Sequence, residues 1–279
     1  MKSIKNIYGS VAGKLLCGMT AAVAALSLAA CTEIGKDERL IYVEPAEVKK
    51  HVLIEDFTGQ RCVNCPNATD KIKELQETYG EENIIAVGLY GGDFGYTTIA
   101  EGHKPLSLTT ADGNSYYTTW GVKAQPSGMI DRYGGQVLSN INFWTAYVKA
   151  LVAAEPTVAI IPTTSYNAST RSLKVDVEVA GRQTLSDAKL QVWLVEDGIV
   201  DMQYMPNGSV NNEYVHNHVF RATVSAVNGD DINVVEKGDV KKSYTVTLDN
   251  AWKPENMSVV AFVFTKDGVQ QTEKVAVTK

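Results

Sequence analysis

The sequence predicts an α/β domain followed by an all-β sandwich domain, with an export segment in front of both. Three observations predict this order. An uncharged apolar stretch lies near the N-terminus, a Cys-x-x-Cys pair separates a short strand from a helical pattern, and apolar residues alternate in the last part of the chain. The predicted segments are a signal at 1–30, a tether at 31–45, the α/β domain at 46–154 and the β-sandwich at 155–279.

The first segment has the layout of a secretory signal. Three lysines precede an apolar stretch, residues 15–30, that has no charged side chain and is too short and Ala-rich for a transmembrane helix. It ends in Leu28-Ala29-Ala30-Cys31, which resembles the lipobox of bacterial lipoproteins. The resemblance implies a lipid with acyl chains such as palmitate on Cys31, and thus a membrane anchor without a membrane span. The alternative is an ordinary signal followed by a chance cysteine.

Charge and cysteine usage narrow the class of protein. Residues 1–30 contain three lysines and no acidic residue, so the rest of the chain has 23 basic and 32 acidic residues, a net charge of −9. This balance argues against a nucleic-acid partner. Cys17 lies in the signal and Cys31 is the lipidation site, which leaves Cys62 and Cys65. In an exported protein, a single Cys-x-x-Cys indicates a redox pair rather than a disulfide framework.

The α/β domain begins with an apolar run at 51–57 that is typical of a buried strand. After the cysteines, Pro66 suits a first helical turn, and apolar residues spaced three or four apart continue to Gly80. Cys62 is therefore expected at a helix N-terminus, where backbone N–H groups and the helix dipole stabilise a thiolate. A second strand at 84–90 completes a parallel strand-helix-strand unit.

The rest of this domain is predicted from the segment 120–130, in which Trp-Gly-Val leads to Pro126 and an apolar strand. Residues 136–138 form a further short strand, and a closing helix follows, marked by Phe143, Trp144, Tyr147, Val148 and Leu151. The segment 91–119 exceeds ordinary loop length. It is predicted to be an insertion, partly helical near 115–119, that covers the redox face.

Together these elements resemble the thioredoxin superfamily. The resemblance implies that Pro126 is the cis-proline beside the redox pair and that Asp56 is the buried acid used as a proton relay. The chain departs from the family at Arg61, where thioredoxins have tryptophan, and at Val63-Asn64, where they have Gly-Pro. A guanidinium beside Cys62 should lower the pKa of its thiol and make the pair more oxidising.

Two other interpretations of the cysteine pair stay open. Cys62 and Cys65 form an inert disulfide if the fold has been recruited for binding. A zinc site would need two further ligands, and residues 32–279 contain no second cysteine pair. Neither a cofactor nor a metal is therefore expected.

The final segment changes to a period of two, which indicates half-buried antiparallel strands. Seven short runs predict an immunoglobulin-like sandwich: 157–161, 172–179, 189–195, 214–222, 243–248, 258–264 and 273–277. His216 and His218 lie on one side of the fourth run. Two ligands alone make a weak metal site, so these histidines are expected to be hydrogen-bonded or exposed.

Over nearly the whole chain after the signal, the order of elements is similar to the twenty-eight-kilodalton outer-membrane-protein family of Bacteroidetes lipoproteins. The resemblance is carried by four stretches: Glu55 to Pro66, Pro126 with Asp131-Arg132, Val195 to Ile199, and Tyr214 to Arg221. It implies a lipid-anchored outer-membrane or surface protein with a thioredoxin-like domain ahead of a β-sandwich.

Two functions are compatible with this organisation. In the first, Cys62 attacks a disulfide of an envelope protein or peptide and Cys65 resolves the mixed disulfide, while Asp56 moves protons and Pro126 aligns the partner's backbone. In the second, the protein is a non-enzymatic surface binding protein or adhesin that uses both domains as a scaffold.

Overall fold

The computed structural model describes residues 49–95 and 107–278. The predicted signal, the tether and Cys31 lie outside the described residues, as does part of the predicted insertion. Residues Glu47 to Lys279 form one compact unit. No helix in the described part of the chain is both long enough and apolar enough to cross a bilayer.

The first half of this unit alternates strands and helices. Its elements are β1 (Val52–Thr58), α1 (Cys65–Tyr79), β2 (Ile84–Tyr90), α2 (Ala111–Trp120), β3 (Ser127–Ile130) and α3 (Trp144–Val152). β1 lies in the middle, parallel to β2 and antiparallel to β3. Gly80 follows the last residue of α1 and caps the helix with a φ of 97°. Glycine adopts this positive φ readily because it has no Cβ.

The predicted elements of this half agree with the structure within a few residues. The short strand expected at 136–138 is reduced to one bridge between Gly128 and Leu138. The helix predicted near 115–119 is α2, and the closing helix is α3. α1 and α3 cover one face of the three strands through Ile72, Leu75, Trp144 and Val148, all of them buried.

The second half is built from ten strands. They are β4 (Val158–Asn167), β5 (Ser172–Gly181), β6 (Lys189–Glu196), β7 (Ile199–Tyr204), β8 (Val210–His216), β9 (Val219–Thr223), β10 (Asp230–Asp231), β11 (Asp239–Thr247), β12 (Met257–Thr265) and β13 (Gly268–Ala276). β11, β5 and β4 form a three-stranded antiparallel sheet. Its apolar face packs on β6 and β12 through side chains such as Val175, Val177, Val192 and Ala261.

The two halves share one sheet, in the order β13-β12-β6-β9-β2-β1-β3 with β10 paired to β6. β9 joins β2 at Gly88 and Val219. A second core lies on the face opposite α1 and α3 and combines both halves of the chain: Leu53, Phe57, Val87, Leu89 and Met129 with Trp193, Val195, Phe220, Val260 and Phe262. The predicted boundary at 155 thus marks a change of sequence pattern within one continuous sheet.

This shared core corrects one expectation about β6. The run 189–195 was expected to be half-buried, yet Gln191, Trp193 and Val195 are as fully buried as Leu190 and Val192. The reason is that one face of β6 packs on the three-stranded sheet and the other on the core shared with β1 and β2. The single run expected at 214–222 is also divided, since β8 ends at His216 and β9 begins at Val219.

Candidate functional site

The cysteine pair lies in the segment that joins β1 to α1, residues 59–64, which we call the redox loop. Cys62 and Cys65 form a disulfide with an S–S distance of 2.00 Å. The Cys62 N–H donates to the carbonyl of Gly59 at 3.0 Å, and the Cys65 N–H donates to the carbonyl of Cys62 at 3.3 Å. Both cysteines are buried, with 3% and 2% of their surface exposed.

The start of α1 differs by three residues from the expected position. Cys62 was expected at the helix N-terminus, but the helix begins at Cys65 with Pro66 in its first turn. The turn that closes on the Gly59 carbonyl holds Cys62 outside the helix. Val63 and Asn64, between the cysteines, are exposed.

The redox loop packs closely against the turn at 92–95. A Cβ on Gly59 would overlap the carbonyl of Phe94, so this position requires glycine. The Arg61 guanidinium donates to the carbonyls of Asp93 and Gly95 at 3.0 and 2.9 Å. In this arrangement Arg61 connects the redox loop to the neighbouring turn, a contact that its position in the sequence did not indicate.

Pro126 directly precedes β3, the strand that pairs with β1 on the edge opposite β2. Ser127 pairs with Phe57 in the antiparallel β1–β3 register, so Pro126 lies opposite the end of β1, where the redox loop begins. The Gln125–Pro126 peptide bond is cis. A groove of about 350 Å³ runs along this face and is lined by Asn64 and Asn67 of the cysteine region together with Gln125, Pro126, Asn140 and Ile141.

Gln125 fixes the loop that carries Pro126. Its side-chain amide donates to the carbonyl of Thr58 at 2.6 Å and to that of Gly91 at 3.0 Å, and it also contacts the hydroxyl of Tyr117. Sequence analysis did not single out Gln125. A glutamine directly before a proline has no pattern that would have indicated this role.

Asp56 lies on β1, with 4% of its surface exposed. Its Oδ1 atom has no hydrogen-bond partner in the described part of the chain. Burial raises the pKa of Asp56 to about 8, because a carboxylate loses its hydration there. The side chain is therefore mostly protonated at neutral pH. It lies within electrostatic range of Tyr90, Tyr117 and Tyr214.

A buried histidine is part of the same polar cluster. His216 Nδ1 lies 2.8 Å from the hydroxyl of Tyr90, and Nε2 lies 3.3 Å from the carbonyl of Met202. Since a carbonyl only accepts, Nε2 carries the proton and Nδ1 accepts from Tyr90. Burial lowers the pKa of His216 to about 4, which keeps the ring neutral.

His216 and His218 do not share a site. His218 lies beyond the end of β8, and its ring contacts Asp197 at 3.4 Å. In the described ranges 49–95 and 107–278, no group of three or more His, Cys, Asp or Glu side chains could hold a metal ion.

The hairpin formed by β7 and β8 covers the redox loop. Gln203 on β7 has 2% of its surface exposed and donates from its side-chain amide to the carbonyls of Cys62 and Gly59, at 3.0 and 3.2 Å. The Tyr204 N–H donates to the carbonyl of Gln60 at 2.8 Å. Sequence analysis missed Gln203 and Gln60, because nothing in the sequence shows that residues 141 positions apart meet.

Comparison with known proteins identifies the family. The model of the outer membrane protein Omp28 family matches residues 113–279. The chain belongs to this family, which is an outer-membrane lipoprotein family, and the protein is a lipid-anchored protein of the outer membrane. No curated protein matches the chain.

Two of the solved structures similar to it come from Porphyromonas gingivalis. HBP35 of Porphyromonas gingivalis shares the fold, with a TM-score of 0.65 and 15% identity over 83% of this chain and 76% of that one. A domain of the outer membrane lipoprotein Omp28 from Porphyromonas gingivalis aligns with 23% identity over 44% of this chain and 90% of that one, with a TM-score of 0.32.

Proposed function

We propose that this outer-membrane lipoprotein is a thiol-disulfide oxidoreductase that acts on envelope proteins through Cys62 and Cys65. The observation that carries the proposal is the position of their disulfide between the end of β1 and the start of α1. Pro126 lies opposite the same end of β1, and the buried Asp56 lies two residues before that end.

The arrangement of the first half supports a thioredoxin-like fold. β1 has a parallel neighbour on one side and an antiparallel neighbour on the other, and α1 and α3 cover the same face. The residue that precedes β3 is Pro126, which lines a groove together with Asn64 of the redox loop. The strands β4 to β13 then supply an immunoglobulin-like sandwich, which would select or position the partner.

The oxidised pair accepts two electrons from a partner dithiol. A partner thiolate attacks Sγ of Cys62, the Cys62–Cys65 bond breaks, and Cys65 leaves as a thiolate that takes up a proton. The partner's second thiolate then attacks the partner's first sulfur, which is bonded to Cys62 in the mixed disulfide. This step releases Cys62, which takes up the second proton. The partner gains a disulfide, and the protein becomes a dithiol. The reverse sequence reduces a partner disulfide.

Three further residues have roles in this step. Asp56, protonated at neutral pH through its raised pKa, supplies a proton to the leaving Cys65 thiolate and takes one up in the reverse direction. Pro126 aligns the partner's backbone in the groove it shares with Asn64. Arg61 holds the redox loop against the turn at 92–95 and adds positive charge beside Cys62.

A second function is favoured by one observation, the burial of both cysteines. A disulfide that partners do not reach serves only to brace the start of α1, and the protein is then a surface binding protein. Its contacts would come from the loops of the β-rich half.

Trapping distinguishes the two functions. In Cys65→Ser, Cys62 attacks partner disulfides and the mixed disulfide persists, because the resolving thiol is missing. Cys62→Ser is the matched control, since it also keeps one cysteine. We expect disulfide-linked envelope proteins from cells that express Cys65→Ser and few from cells that express Cys62→Ser. Equal capture by the two variants, or none by either, would reject the redox function.

A further inference from the structure

The β7–β8 hairpin stands apart from the two larger sheets. Among the described residues, its strands pair only with each other. Its outward face carries Val200 and Val215, which are paired across the hairpin and are 58% and 48% exposed. Its inward face lies on the redox loop. The hairpin is thus a cover that belongs to neither core sheet.

Polar contacts hold this cover to the redox loop. Besides the bonds of Gln203 and Tyr204, the Gln60 side chain donates to the Met202 carbonyl at 3.5 Å. The Gln203 amide lies near three carbonyls, those of Gly59, Cys62 and its own neighbour Tyr204. An amide NH₂ has only two hydrogens, so at least one of them is shared between two carbonyls. The bonds that share a hydrogen are weaker than an ordinary hydrogen bond.

The position of these contacts determines access to the disulfide. An incoming thiolate has to approach Sγ of Cys62 in line with the S–S bond, and Cys62 is 3% exposed while the hairpin is closed. Among the residues of β7 and β8, only Ile199 is a buried apolar side chain. Segments with few buried apolar contacts open at a lower free energy than the whole fold. Opening of the hairpin removes the side chain that binds the Cys62 carbonyl.

We propose that Gln203 is a specificity-determining positioning residue, which holds the β7–β8 hairpin over the disulfide so that only a partner that displaces the hairpin undergoes exchange. This inference rests on the proposed redox function. It assigns to the second half of the chain a direct part in the reaction. The substrates are then proteins that bind the hairpin, and small thiols react slowly.

The test is the rate at which dithiothreitol reduces the disulfide in the purified protein. One dithiothreitol thiolate attacks Cys62, Cys65 leaves, and the second thiolate closes the oxidised ring, so two electrons pass to the protein. Gln203→Leu removes the amide at similar size. We expect its reduction to be about ten times faster than that of the wild type, which corresponds to the loss of roughly one hydrogen bond. Asn212→Leu, at an exposed position of the same hairpin, should leave the rate unchanged.

Hydrogen exchange provides the readout that a general loss of stability would not reproduce. The Tyr204 amide, which binds the Gln60 carbonyl, should exchange about ten times faster in Gln203→Leu, while amides of β1 and β6 keep their wild-type protection. If Gln203→Leu does not fold, Gln203→Met replaces it, because a thioether side chain of similar length has no hydrogen to donate. Equal reduction rates in the wild type and the folded variant would overturn the proposal.

The two proposals fail in different ways. A faster reduction of Gln203→Leu, combined with no trapping of envelope proteins by Cys65→Ser, would support the cover and reject the redox function. Trapping by Cys65→Ser with no effect of Gln203→Leu on the rate would support the redox function and reject the cover.

Discussion

The guanidinium of Arg132 binds both carboxylate oxygens of Glu55, at 2.9 and 2.8 Å, in a position where Glu55 is fully buried and Arg132 is 5% exposed. Glu55 lies on β1 and Arg132 follows β3. The same guanidinium lies over the rings of Trp193, Phe262 and Phe264 from the second half of the chain. Arg132 therefore pairs with an acid of the first half and packs against aromatic side chains of the second half.

Removal of one partner of this pair should be strongly destabilising. Arg132→Met leaves the Glu55 carboxylate buried without its counter-charge, and we expect a loss of about 3–5 kcal/mol in the free energy of unfolding, measured with urea. Lys174→Met, in the exposed pair with Asp176, is the matched control and should change it by less than about 1 kcal/mol. Similar losses in the two variants would contradict this account, and Glu55→Gln in the Arg132→Met background should restore part of the loss.

Asp56 should make the protein less stable as the pH rises. Its pKa of about 8 in the folded state lies above the ordinary value of 3.8 for an aspartate, so the native state binds the extra proton and stability falls between about pH 4 and pH 8. Asp56→Asn removes this dependence. We expect the variant to exceed the wild type by about 2–5 kcal/mol in the free energy of unfolding at pH 8 and to equal it near pH 4. A difference that does not vary with pH would contradict the burial of an acid here.

His216 should have the opposite effect on the acid side. Its folded-state pKa of about 4 lies below the ordinary value of 6.5 for a histidine, so the unfolded state binds the proton first and stability falls as the pH drops from 6.5 to 4. His216→Gln should abolish this loss, which we expect to reach about 3 kcal/mol. Tyr90→Phe, which removes the hydroxyl near Nδ1 but leaves the imidazole buried, should retain it. Urea unfolding at each pH measures both effects.

The segment 47–154 should not fold cooperatively by itself. Phe57, Leu89 and Met129 share their core with Trp193 and Phe262, so the isolated segment exposes a large apolar face. We expect it to show no cooperative urea transition and no fixed aromatic signal in near-ultraviolet circular dichroism. The segment 47–279 is the control. A cooperative transition in the shorter segment would show that the boundary at 155 separates independent domains.

The lipid anchor can be tested by labelling. Cys31→Ser should abolish incorporation of a palmitate analogue and release the protein from the outer-membrane fraction, because the lipobox resemblance assigns the thioether lipid to that thiol. Cys17→Ser should keep both properties, since Cys17 lies within the signal. Label retained by Cys31→Ser would place the anchor elsewhere.

The sequence predicted the first half well because its signals are local. The run at 51–57, Pro66 and Gly80 lie next to the elements they define, and β1, α1 and β2 follow them closely. Pro126 and Asp56 were named from the thioredoxin resemblance, and their roles in a redox reaction stay predictions. The exact start of α1 was missed, since the turn to the Gly59 carbonyl is a tertiary detail of the redox loop.

The contacts between the halves could not be predicted. Gln203 contacts the redox loop and His216 contacts Tyr90 because the fold brings β7 and β8 beside them. No periodicity in β7 or β8 indicates which element these side chains will contact. The run 189–195 was expected to be half-buried, but alternation shows only which residues share a face. It does not show that a second layer covers the other face.

The shared sheet also has a consequence for how the protein reaches its membrane. β2 obtains its outer neighbour from β9, and β1 contacts β13. Just before β1, the His51 N–H donates to the Gln271 side chain, 220 residues later. β2 therefore lacks one neighbour until β9 has been synthesised, and the core that β1 and β2 share with β12 is incomplete until the last strands exist. Such distant pairing delays folding, and a chain that stays open while it is being made can still be threaded through a secretion pore.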